Sequence, residues 1–195
     1  MNSSDSKASL VASFLDSLSR HKTVFESLHL HQEEMLTLLA ACKRAIENGG
    51  KIVFCGNGGS AADSQHLAAE FVVRYKKERS GLPALALTTD TSILTAYSND
   101  YDFEGVFARQ VETLCTKDDV VVGLTTSGNS PNVSAALNAC NKLGAYSVAF
   151  TGGTGGEIKS IAQLAIVIND AETARIQEAH LFLGHWLCEA FDLLS

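Results

Sequence analysis

Five short apolar runs that alternate with helical patterns constrain the fold of this chain most strongly. Each run is apolar throughout, which predicts a strand buried on both faces, as in a parallel sheet. Strands that alternate with helices favour a doubly wound, three-layer α/β domain. We therefore predict a parallel five-stranded sheet with helices on both faces. The predicted strands span residues 51–55, 83–87, 120–124, 146–150 and 164–168.

Two more helical patterns precede the first predicted strand. Apolar stripes over residues 10–18 and 35–46 predict N-terminal helices. Their periodicity leaves open whether they pack on the sheet or form a bundle with another subunit. The chain length of 195 residues fits a single core. We expect one domain over residues 1–195, with residues 1–48 as an N-terminal helical extension.

Charge and cysteine usage narrow the class of protein. A net charge of −7 argues against a general surface for nucleic acid or anionic membranes. No apolar run approaches the ~20 residues of a membrane span, and the N-terminus lacks the pattern of a signal peptide. Five cysteines without a C-x-x-C pair make a disulfide framework unexpected. We expect a globular protein of the reducing cytoplasm.

Two turns of small residues each follow a predicted strand and open a predicted helix. The first has the sequence CGNGGS at 55–60, and the second has TTSGNS at 125–130. Main-chain N–H groups and hydroxyls at a helix N-terminus bind phosphate well. For one turn alone, an ordinary helix cap is the alternative, and neither turn matches a dinucleotide fingerprint or a P-loop. Two such turns at strand ends predict a phosphate site, and its candidate donors are Ser60, Thr125, Thr126, Ser127 and Ser130.

Polar side chains follow the first turn and interrupt the apolar closing helix. His66 and Glu70 lie four residues apart on one helix face, where they could bind one metal or handle one substrate. The alternative is a solvated surface pair. The closing helix carries Gln177, His180 and His185. Spacing alone does not choose which of these two histidines shares a site with Gln177.

These motifs together resemble the sugar isomerase (SIS) domain of bacterial phosphoheptose isomerases. The resemblance rests on residues 55–71 with Arg74, residues 85–96 with Asn99 and Asp100, residues 126–130, and residues 175–180 with His185. It implies a SIS, flavodoxin-like fold and an aldose–ketose isomerase. The implied reaction converts D-sedoheptulose 7-phosphate to D-glycero-D-manno-heptose 7-phosphate through an enediol, the first step toward ADP-heptose for lipopolysaccharide core. It also implies a homotetramer with active sites at subunit contacts.

The resemblance also implies a role for individual residues. Glu70 is the implied base, and His185 is its partner acid/base. One zinc ion per subunit is implied, with His66, Glu70, Gln177 and His185 as ligands. The implied substrate-binding residues are Asn57, Gly58, Gly59, Ser60, Glu70, Asn99, Asp100, Thr125, Thr126, Ser127, Ser130 and Gln177.

Two other functions share the predicted fold. Relatives that look like non-catalytic partners of a replication initiator protein keep the glycine turn but lack the catalytic Glu and His. The presence of Glu70 and His185 favours the enzyme. A sensor or isomerase for another phosphosugar would look the same at the phosphate site, so the sequence discriminates weakly against it.

Overall fold

The computed structural model describes residues 3–194 and confirms the predicted parallel five-stranded α/β architecture. All strand pairs are parallel, in the order β2-β1-β3-β4-β5. β2 is added on one side of β1, and β3, β4 and β5 follow on the other side, so the strand order reverses between β1 and β3. Sheets of this order bind ligands at such a point. The strands are β1 (Ile52–Gly56), β2 (Ala84–Ala86), β3 (Val120–Thr125), β4 (Tyr146–Gly152) and β5 (Leu164–Ile168).

Helices cover both faces of the sheet. The helices are α1 (Ser3–Ser27), a 3-10 turn (Leu28–His31), α2 (Gln32–Glu47), α3 (Gly59–Val72), α4 (Thr91–Asp100), α5 (Val106–Leu114), α6 (Pro131–Leu143), α7 (Ile158–Ile161) and α8 (Thr173–Leu194). One buried cluster joins α2, α3 and α8 to the sheet, and a second joins α5, α6 and α7 to the opposite face. The sequence did not predict α7, because one helical turn is too short to show a period.

The N-terminal helices behave differently from each other. α2 packs on the sheet through buried residues that include Leu38 and Cys42. The last part of α1 joins the same cluster at Val24, whereas Leu10 and Phe14 in its first part are exposed. α2 therefore packs on the sheet along its length, whereas α1 joins this cluster only through its last part. Residues 1, 2 and 195 of the single-domain prediction lie outside the described residues.

Several boundaries differ from the sequence prediction for physical reasons. The sequence pattern after the first turn predicts a helix from about residue 60 to 75, but α3 ends at Val72. Asp192 on α8 accepts hydrogen bonds from the amides of Lys76 and Lys77 and draws the chain away from the helix axis. β2 is shorter than predicted because only three of its residues pair with β1. Between residues 3 and 194, no helix is both long and apolar enough to cross a membrane.

Candidate active site

The two small-residue turns lie side by side at the carboxyl edge of the sheet. β1 and β3 are neighbours, with Gly56 and Leu124 in register. The side chains of Asn57 and Asn132 exchange two amide hydrogen bonds of 2.8 Å, which tie the first turn to the beginning of α6. Gly58 adopts a positive φ of 55° before α3, and no side chain caps that helix. The first amides of α3 can therefore face a ligand.

Hydroxyl groups line the second turn. The Oγ1 of Thr125 lies 2.8 Å from the Oγ of Ser130 and 3.4 Å from the Oγ of Ser127. Ser130 precedes α6 without a side-chain cap bond of its own. The cluster combines rotatable hydroxyls with a helix N-terminus, an arrangement suited to the oxygens of a phosphate.

A third turn, rich in glycine, follows β4 at residues 153–156 and packs against the second turn. A Cβ atom on Gly128 would lie 2.2 Å from the carbonyl oxygen of Gly155. The amide of Ile158 donates to the carbonyl of Gly128 at 3.1 Å, and the amide of Glu157 donates to Asn129. The backbone of the second turn is therefore held before any ligand binds.

Three titratable side chains meet between α3 and α8. The Nε2 of His66 lies 2.7 Å from the Nε2 of His185 and 3.7 Å from the Oε1 of Glu70. Burial lowers the pKa of His185, with a smaller lowering contribution from His66, and Glu70 opposes both. His185 is therefore neutral near pH 7, with one nitrogen that donates and one that accepts.

The amide of Gln177 lies directly over the beginning of α3. A Cβ atom on Gly59 would lie 2.3 Å from its Nε2 and 2.5 Å from its Oε1. Burial raises the pKa of the nearby Asp63 carboxyl, and the neighbouring Gln177 and His66 oppose part of this increase.

The structure separates some predicted residues from this cluster. His180 is fully buried, and its Nε2 donates to the carbonyl of Thr151 at 3.1 Å. Burial lowers the pKa of His180 to about 4. Asn99 and Asp100 are exposed at the end of α4 and bond to each other. Among residues 3–194, no described hydrogen bond or ion pair joins them to either turn.

Sequence reasoning missed three residues that support the site. Asp63 precedes His66 by three residues, so the helical period alone could have placed it on the same face. The ring of Tyr75 stacks on His185 with centroids 5.7 Å apart. Tyr75 and Asn132 gave no sequence signal, because their partners are 110 and 75 residues away.

The donor types around His66 fit a zinc ion. Two imidazole nitrogens and a carboxylate are a common catalytic zinc set. Among residues 3–194, however, no group of three or more His, Cys, Asp or Glu side chains is arranged so that it could hold a metal ion. The two Nε2 atoms lie 2.7 Å apart, at hydrogen-bond distance from each other. The chemistry of the donors therefore fits the metal, although their geometry is that of a hydrogen-bonded pair.

Comparison with known proteins gives a consistent picture. The SIS domain family model matches residues 14–152. The phosphoheptose isomerase of Aquifex aeolicus is 52% identical over 165 residues, which cover 85% of this chain and 86% of the relative. That of Solidesulfovibrio magneticus is 48% identical, over 97% of this chain and 91% of the relative. The structure of phosphoheptose isomerase GmhA from Neisseria gonorrhoeae matches with a TM-score of 0.85 and 39% identity, over 95% of this chain and 98% of that one.

Proposed function

Because this chain belongs to the SIS-domain family of phosphoheptose isomerases, we propose that it interconverts D-sedoheptulose 7-phosphate and D-glycero-D-manno-heptose 7-phosphate. It is an aldose–ketose isomerase of heptose biosynthesis, and we place its reaction first on the route to ADP-heptose for lipopolysaccharide core. The observation that carries the proposal is the meeting of Glu70, His66 and His185, two of them on the helix that the first of the two joined turns opens.

The two turns bind the phosphate of the substrate. Hydroxyls and main-chain amides hold a phosphate without a lysine, which suits a chain of net charge −7. Ser60 comes from the first turn and Ser130 from the second. The phosphate-bearing end of the sugar is fixed at the two turns, so the reacting carbons extend toward α8.

Glu70 and His185 carry the proton transfers. Glu70 takes a proton from C1 of the ketose and returns it to C2 of the enediol, while His185 exchanges protons with the neighbouring oxygens. A neutral imidazole suits that exchange, because it holds one donor and one acceptor. The lowered pKa of His185 supports this role.

A zinc ion is the proposed cofactor, one per subunit. His66, Glu70 and His185 would hold it, with the Oε1 of Gln177 as a fourth ligand. When bound, the ion would stabilise negative charge on the oxygens of the enediol. Zinc is usually bound by thiolates, imidazoles and carboxylates, so the amide of Gln177 would be the weakest ligand of the set.

A homotetramer completes the proposal. Asn99 and Asp100 lie apart from the turns, and no residue of α4 is buried in the described chain. These facts support a site that combines the turns of one subunit with α4 of another. The exposed apolar side chains of α1, which include Leu10 and Phe14, support an assembly surface. All five cysteines are free and buried, which is consistent with the proposed cytoplasmic location.

Nuclear magnetic resonance of the purified protein with sedoheptulose 7-phosphate tests the reaction directly. We expect aldose formation in at least one of two assays, without and with added zinc, and almost none from Glu70→Gln or His185→Gln in either. Glu78→Gln makes the same chemical change at a side chain that is 90% exposed, and should leave turnover unchanged. No conversion by the wild type would exclude the proposal and favour a non-catalytic binder. Conversion of another phosphosugar alone would reassign the substrate.

A further inference from the structure

A buried ion pair anchors the segment that connects α3 to β2 (residues 73–83). The Nε of Arg79 lies 2.9 Å from the Oδ1 of Asp192 on α8, and both side chains are about 95% buried. The Oδ2 of Asp192 accepts from the amides of Lys76 and Lys77 at 2.8 Å each. Burial raises the pKa of Asp192, but these amides and Arg79 outweigh it, so the net pKa is lowered. The carboxylate is therefore charged and saturated with donors.

Arg79 also caps the last turn of α3. Its Nη2 donates to the carbonyl of Glu70 at 3.1 Å, and its Nη1 donates to the carbonyl of Phe71 at 3.0 Å. The last four carbonyls of a helix have no partner within the helix. Arg79 therefore fixes the backbone of the turn that carries Glu70.

The same segment reaches the second residue of the acid–base pair. Tyr75 stacks on the ring of His185 with an interplanar angle of 30°. Lys76 extends along α8 and pairs with Glu189 at 2.8 Å. One buried anchor thus supports Glu70 through its backbone and His185 through its ring.

We propose that Arg79 and Asp192 are positioning residues for the isomerisation. They hold Glu70 and His185 at the separation that proton transfer needs, without contact with the substrate. This inference rests on the proposed function of that pair. Proton transfer is sensitive to displacements of about 1 Å, which can cost on the order of 10²-fold in rate.

The chain contains a matched control elsewhere, directly before β3. The carboxylate of Asp119 is also buried, and it accepts from the amides of Lys51 and Thr116 and from the Nζ of Lys51. Asp119→Asn therefore removes the same charge from the same kind of network as Asp192→Asn. Only Asp192 is connected to the acid–base pair.

We compare the two variants by urea unfolding and by steady-state kinetics. Both should be less stable than the wild type. Asp192→Asn should lower kcat at least ~10-fold with KM within about twofold, because the phosphate turns are untouched. Asp119→Asn should keep kcat within about twofold of the wild type. Equal kcat in the two variants, whether both low or both normal, would overturn the inference.

Two further measurements keep the test decisive. If Asp192→Asn does not fold, Arg79→Lys takes its place, since it keeps the charge but cannot reach three acceptors at once. The imidazole resonances of His185 report its ring position without turnover, and Tyr75 adds a ring-current shift. These resonances should move in the Asp192 or Arg79 variant and not in Asp119→Asn. Unmoved resonances refute the positioning role, whereas an inactive wild type refutes only the proposed reaction.

Discussion

Replacing Gly59 with alanine should impair the enzyme without destabilising it. Gly59 opens α3, and it is not among the glycines with positive φ, so its backbone suits any residue. Gly→Ala at such a position adds roughly 0.5–1 kcal/mol of stability, because it restricts the unfolded chain. The new Cβ, however, would lie 2.3 Å from the Nε2 of Gln177, whereas ordinary contact begins at 3.4 Å.

The amide of Gln177 must therefore move by about 1 Å. It is the far end of a flexible side chain, so the displacement costs little folding energy. It costs more in catalysis, because Gln177 is the proposed contact of substrate and zinc. A misplacement of this size lowers kcat/KM by roughly 10- to 100-fold, or about 1.4–2.7 kcal/mol of transition-state binding.

A double-mutant cycle isolates this cause. Isomerisation of sedoheptulose 7-phosphate is measured for Gly59→Ala, Gln177→Ala and the double variant, beside urea unfolding of each. In the Gln177→Ala background the added methyl meets no amide, so Gly59→Ala should have almost no further effect. Full activity of Gly59→Ala, or additive losses in the double variant, would refute the reasoning.

Three further predictions concern other groups. His66→Ala should lower the zinc content measured by atomic absorption after zinc loading, and an unchanged content would remove His66 from the site. His180 is neutral in the folded protein, since burial lowers its pKa from 6.5 to about 4. Below pH 6.5 the unfolded chain binds a proton there that the folded protein does not. The free energy of unfolding should therefore decrease by roughly 3 kcal/mol as the pH falls from 6.5 to about 4. His180→Gln should reduce that pH dependence in urea unfolding at pH 7 and 4.5, and an unaltered pH dependence would contradict the assignment. Burial raises the pKa of Cys55 to about 12, so a thiol reagent should modify it only after unfolding, and rapid labelling of the native protein would contradict this.

The strands were predictable because each is a short apolar run between turns. Their predicted limits agree with the structure to within two residues, as at 51–55 against Ile52–Gly56. The neighbouring positions of the two turns followed from the rule that parallel strands end at one edge. The end of α3 was not predictable, because it depends on Asp192, more than a hundred residues away in the chain.

The site was predictable only where its residues share one element. His66 and Glu70 lie on one helix, and their spacing brought them together in the sequence. The choice between His180 and His185 depends on how α8 turns against α3, which no local pattern records. In the structure His185 faces His66, while His180 faces the end of β4.

The paired amides of Asn57 and Asn132 bear on the chemical ageing of this protein. Asn57 precedes Gly58. In an Asn-Gly sequence the main-chain nitrogen of the glycine readily attacks the side-chain amide of the asparagine, which then becomes a carboxylate. Asn57 is instead held by two hydrogen bonds to Asn132. A carboxylate there would lose a donor and face the oxygen of Asn132. The fold thus protects Asn57, in the proposed phosphate site, from deamidation, and heat that opens the fold would expose Asn57 to this reaction.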